Sequence, residues 1–170
     1  MSTEQQPLDP HLIEETKQQI RSIVGEIARL AKADVTPEEF YQEFLTRVVS
    51  ALAAVGGAVW TTNEDQRLAL QYQVNLQNTG LRTNEQADSQ HARLLYKTLA
   101  GGRGVLMPPH SGSGDDDQAA NPTDLLVILG PLTTDLETVG LVEVFQRPDS
   151  APKVQQGYLR FLLEMCELAA

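Results

Sequence analysis

The chain has 170 residues, 41% of them hydrophobic, with 23 acidic against 13 basic side chains and a formal charge of −10. That length fits one domain able to bury roughly 70% of the surface its unfolded form exposes, and the apolar content excludes a disordered chain. The charge opposes contact with nucleic acid and with anionic lipid, since no basic stripe or Lys/Arg cluster offsets it.

Residues 1–9 are polar and read as a flexible lead-in. They carry no basic segment followed by an apolar one, so no secretory signal is recognised and cytoplasmic residence is expected. Pro10 suits a first helical turn with Asp9 as its cap, and a helix is predicted to about residue 33, a segment set apart as 10–34. Its apolar stripe is narrow, and Ile13, Ile20 and Ile27 repeat every seven residues. With Ile23 and Leu30 they suit a seam against the same helix of a second copy; packing on the helix's own domain is the other reading.

Thr36, Pro37 and Glu39 spell a capping box, and the helix they start carries Phe40, Phe44, Leu45, Val48, Val49 and Leu52 on one side as far as Gly56-Gly57. Ala58 to Thr61, a polar turn at 63–66, and alternating Leu68, Leu70, Tyr72 and Val74 read as a hairpin with one wet face. A loop follows, then a helix capped by Asp88 or Ser89, bearing Ala92, Leu95, Tyr96 and Leu99 and stopped by Gly101-Gly102. Val105–Met107 is a short strand, and residues 110–123 form a polar excursion with too little apolar surface to order itself.

Two buried strands are predicted at 124–129 and 138–146, with a turn around Thr133–Asp135 between them and Pro131 confined to an edge or bulge. A last helix follows Pro152, its apolar side made by Val154, Tyr158, Phe161, Leu162, Met165 and Leu168. No apolar run approaches the ~18 residues of a membrane span, so no direct membrane contact is expected. The single cysteine, Cys166, lies in this last helix; it excludes an internal disulfide and reads as a buried thiol in preference to a reactive one.

Three stretches resemble GAF domains. Ala58–Leu70 is similar to the family's first hairpin, Gly102–Pro108 to its glycine, short strand and proline segment, and Val139–Phe145 with the following helix to its closing strand and exit helix. The resemblance covers residues 35–170. It implies an α+β fold of the profilin-like kind: a central antiparallel sheet of five to six strands, with the N-terminal and C-terminal helices packed on one face. A PAS-like sensor is the structural competitor. Glu143–Pro148 and Gln155–Leu162 are also similar to bacterial GAF regions that precede hemolysin-D-type secretion adaptors, which would make this module the cytoplasmic input of a membrane protein.

The family places its ligand on the sheet face opposite those helices. Trp60, Tyr72, His91, Leu95, Met107 and Leu129 are the residues expected to line such a pocket, the alternatives being a solid core there and, for His91, a solvent-facing side chain. Methionine sulfoxide reduction needs several cysteines, and bilin attachment one beside the pocket; neither fits Cys166. His11, His91 and His110 show no ligand spacing, so no metal is expected, and no cofactor. Adjacent Asp115, Asp116 and Asp117 do not alternate as calcium ligands do, and Gly101–Gly104 lacks a phosphate-loop pattern. The expectation is a non-catalytic signalling module that forms a homodimer through its terminal helices, with or without a small-molecule ligand; the alternative is an obligate small-molecule sensor with its pocket over the sheet, and an enzyme is the least favoured reading.

Overall fold

The computed structural model describes residues 10–81, 84–112 and 118–169, with the side chains of the first helix from residue 18 onward. The elements run α1 (Pro10–Lys32), α2 (Pro37–Ala51), β1 (Gly56–Thr62), β2 (Leu68–Val74), a short 3-10 turn (Leu76–Asn78), α3 (Glu85–Gly101), β3 (Val105–Met107), β4 (Leu126–Thr133), β5 (Thr138–Gln146) and α4 (Pro152–Ala169). The five strands form one sheet in the order β2-β1-β5-β4-β3, every neighbouring pair antiparallel. This is the α+β arrangement expected, with β5 at its centre.

Local chemistry sets the ends of these elements. The Thr36 hydroxyl accepts from the Glu39 N–H while the Glu39 carboxylate accepts from the Thr36 N–H, each at 3.2 Å, so the capping box read in the sequence is formed. α2 stops at Ala51, short of Gly56-Gly57; Ala53 turns the backbone through a positive φ of 48°, and both glycines belong to β1. α3 begins a turn earlier than predicted because Asn84, not Asp88 or Ser89, is the cap, its side chain accepting from Ala87 N at 2.8 Å. It ends at Gly102, whose φ of +64° is the left-handed turn that glycine adopts most easily.

Two apolar layers flank the sheet. On one face α1, α2 and α4 pack over Val59, Leu126, Ile128, Val142 and Val144, burying Phe44, Leu45, Val48, Leu162 and Met165 completely or nearly so. On the other, α3 covers Ala58, Val127, Leu129, Leu141 and Phe145. α4 lies close to the sheet because Gly104 and Gly130 leave room for it: a Cβ at Gly130 would stand 2.7 Å from Cys166 Sγ, and one at Gly104 2.8 Å from Leu163 Cδ2. Pro131 pairs with Leu141 on the β5 side, at a point where β3, whose pairing stops at Leu129, no longer borders β4. A residue without an N–H is tolerated there.

One strand departs from the expected alternation. Val59 faces Tyr72 but Trp60 faces Leu70, so Gln71 is the extra residue of a bulge in β2. Paired residues share a face, and the insertion reverses the in-out pattern across it. Tyr72 and Val74 therefore pack into the α2 side, whereas Leu68 packs toward α3 and Leu70 is left 38% exposed. The hairpin does not have a single wet face.

Candidate functional site

The α3 face of the sheet carries a buried polar cluster centred on β5. Glu143 lies on β5 between Leu141 and Phe145 and is fully buried. A carboxylate so placed loses several kcal/mol of hydration unless donors replace the water. Two do: Trp60 on β1 donates its indole N–H to Glu143 Oε1 at 3.1 Å, and His91 on α3 sets Nε2 2.6 Å from Glu143 Oε2. The Trp60 and His91 rings meet edge to face, with centroids 6.1 Å apart. Neighbouring strands thus supply the acid and one donor, and the covering helix supplies the second.

Of the six residues expected around a pocket, Trp60, Leu95, Met107 and Leu129 belong to the apolar layer beneath α3, and His91 joins them through Glu143. Tyr72 does not: the bulge at Gln71 turns it to the opposite face, where it packs against the helix-side core. Glu143 is the residue sequence reasoning missed, although a lone acid within Val139–Phe145, a run otherwise suited to burial, is a signal that a donor must lie opposite it. α3 itself buries Ala87, His91, Leu94, Leu95 and Thr98, a stripe rotated from the predicted one, with Ala92 exposed and Tyr96 42% exposed. The Tyr96 hydroxyl accepts from the Leu68 N–H at 3.0 Å and ties α3 to the outer strand β2.

The polar excursion after β3 is better anchored than its composition suggested. Asn121 is fully buried; its amide donates to the carbonyls of Met107, Pro108 and Leu125, and its oxygen accepts from the Thr123 N–H and hydroxyl. One amide thereby satisfies a loop's backbone groups in place of an apolar core. The Ala120 N–H donates to the Gln90 carbonyl, joining this segment to α3. Asp115, Asp116 and Asp117 lie outside the described residues, as do residues 1–9. His110 pairs with Asp124 at the surface. Among the described residues no three His, Cys, Asp or Glu side chains gather to hold a metal ion, and no helix is long and apolar enough to cross a membrane.

The terminal helices present the second feature. Ile27 is completely buried in the helix-side core, so the seven-residue series does not form one exposed seam. Ile20 and Ile23 are half-buried, as is Leu30, and the Ile13 side chain lies outside the described residues. Ile20 and Ile23, together with Leu52, Val154, Tyr158 and Phe161, line an open groove of about 900 Å³ between α1, α2 and α4. Its rim is charged: Arg47 bonds Glu26 at 2.9 Å and also pairs with Glu43, one turn earlier on α2. Burial raises the Tyr41 hydroxyl above its ordinary value, and the Glu26 and Glu43 carboxylates hold the Arg47 proton more firmly still. Cys166 is buried, and desolvation, with the nearby Glu167 charge, pushes its thiol far up.

No family model matches the sequence, and no curated protein matches it by sequence. Solved structures do match by shape. A GAF domain from A. aeolicus, solved in an inactive state, superposes with a TM-score of 0.67 at 16% identity, over 90% of this chain and 94% of that one. A GAF domain from Pseudomonas syringae pv. tomato, assigned to a sensor histidine kinase, gives 0.65 at 16% identity over 95% and 90%. The GAF domain of a phosphoenolpyruvate-protein phosphotransferase from Coxiella burnetii gives 0.59 at 13% identity over 89% and 91%. With these superpositions over most of both chains, the five-stranded antiparallel sheet and its four helices adopt the fold of a GAF domain.

Proposed function

We propose that the chain is a non-catalytic regulatory module of a signalling protein and that it pairs with a second copy through the layer of its terminal helices. The observation that carries this reading is the apolar groove between α1, α2 and α4, open at the edge of the helix-side core. Each Ile or Leu side chain covered there contributes roughly 1.5–3 kcal/mol. In the single chain Ile20, Ile23, Leu52 and Tyr158 are half-buried and Val154 is exposed, so each gains only part of that figure, and it is the groove residues of both copies together that are set against an association cost of about 4–15 kcal/mol. The matched GAF domains, one assigned to a sensor histidine kinase and one from a phosphotransferase, support the regulatory class.

Light scattering on the full chain tests the pairing. The wild type is expected at dimer mass and the Ile20→Glu, Ile23→Glu variant at monomer mass with unchanged helical circular dichroism. A monomeric wild type, or a variant that stays dimeric, rejects it. Ile27 is left intact because it belongs to the core.

A second reading is favoured by Glu143: the module senses a small molecule on the α3 face. A buried acid with its hydrogen-bond donors is seldom the most stable filling for a core, because desolvation offsets much of what those bonds contribute. Its presence beneath a single covering helix supports a role in recognition.

A further inference from the structure

The geometry points to Glu143 and Trp60 as a subsite for a flat organic cation rich in N–H groups, an amidinium, guanidinium or protonated azole, with the His91 ring as the occupant of that subsite when α3 is closed. This rests on the sensor reading above and names the ligand class for the same face.

The argument is one of chemical complementarity. Glu143 is fully buried, its backbone is fixed at the centre of the sheet between β1 and β4, and its neighbours on that face, Leu141 and Phe145, offer no hydrogen bonds through their side chains. Its two oxygens accept from two different nitrogen heterocycles, at 3.1 Å and 2.6 Å. Trp60 is part of the sheet and stays with it. His91 belongs to α3, so the second donor leaves whenever that helix lifts or the imidazole rotates. The carboxylate cannot then remain bare, and a ligand that replaces His91 must bring a planar ring or fork and an N–H directed at Oε2, while a positive charge on the ligand would compensate a buried carboxylate. Trp60 is half-buried and its ring meets the imidazole with centroids 6.1 Å apart, so it forms an aromatic wall beside the same position. A neutral ligand of the same shape leaves the acid without a countercharge, and an anion is repelled.

Benzamidinium is the probe and neutral benzamide its isosteric control, titrated into the full chain by calorimetry and by thermal melting. The expected result is saturable benzamidinium binding with a rise in Tm, at least tenfold weaker for benzamide and for Glu143→Gln, which keeps the shape of the side chain and removes its charge. Should Glu143→Gln not fold, the comparison of the two probes on the wild type decides alone. Equal binding of both probes, benzamidinium binding undiminished in a folded Glu143→Gln protein, or no binding at all overturns the assignment. Equal binding of the two probes rejects the cation class while leaving a ligand site on this face, whereas no binding of either rejects the sensor reading with it, so the two failures are told apart.

Discussion

Removing His91 tests the energetic role of the buried cluster. In His91→Leu the new side chain fits a helix that already buries Leu94 and Leu95, but Glu143 Oε2 loses its partner at 2.6 Å while the carboxylate remains fully buried. Breaking a buried pair from one side costs about 3–5 kcal/mol, because the remaining charge is left without compensation. For a chain of this size each kcal/mol lowers Tm by roughly 2–4 °C, so the expected fall is about 6–20 °C. Removing the acid as well reverses the sign of the argument. The His91→Leu, Glu143→Leu double variant leaves no charge to desolvate, and only the Trp60 N–H, which is half-buried, loses an acceptor, at a cost of about 1 kcal/mol. The double variant should therefore be more stable than His91→Leu alone, a strongly non-additive cycle. Trp60 is the only tryptophan in the chain, so urea melts followed by its emission report from within the cluster, with far-ultraviolet dichroism as the second probe. A His91→Leu cost below about 1 kcal/mol, or a double variant no better than the single one, would refute the claim that the pair is an electrostatic unit.

Two further predictions concern α4. Gly130→Ala places a methyl 2.7 Å from Cys166 Sγ and 3.1 Å from Leu162 Cγ; overpacking of this kind costs about 1–3 kcal/mol, and adding Cys166→Ala should recover part of the loss in Tm, whereas simply additive losses would count against the contact. Because the buried Cys166 thiol keeps its proton at a pH where the unfolded thiol, with its ordinary value of 9.0, gives its proton up, stability should fall as pH rises through about 9. Cys166→Ala should lack that alkaline limb. The same burial predicts that an aromatic disulfide reagent labels the thiol in urea but not in the native protein, and rapid native labelling would show α4 to be loosely seated.

The elements that were legible in the sequence are those whose signals are local. The Thr36, Pro37, Glu39 box fixed the start of α2 because its hydrogen bonds close within four residues. β5 was legible as a run of buried residues because a central strand is covered on both faces. What escaped depended on pairing between distant segments. No local feature of Leu68–Val74 announces that Gln71 is extra, since a bulge exists only relative to the register with β1, and that one residue moved Tyr72 from the expected pocket to the opposite core. His91 was singled out, but its partner was not, because 52 residues separate it from Glu143. The heptad of isoleucines was real in the sequence yet divided in space: Ile27 entered the core while Ile20 and Ile23 stayed at the groove. Periodicity reports that a helix has an apolar side, not which neighbour covers it.

The close seating of α4 has a mechanical consequence. Where Gly130 and Gly104 meet Cys166, Leu162, Leu159 and Leu163, backbone stands in for side chain, so there is little compressible material between helix and sheet. A tilt imposed on β4 from the α3 side would reach α4 with almost no slack, much as a hinge leaf moves with its pin, and the orientation of that helix would record the state of the opposite surface.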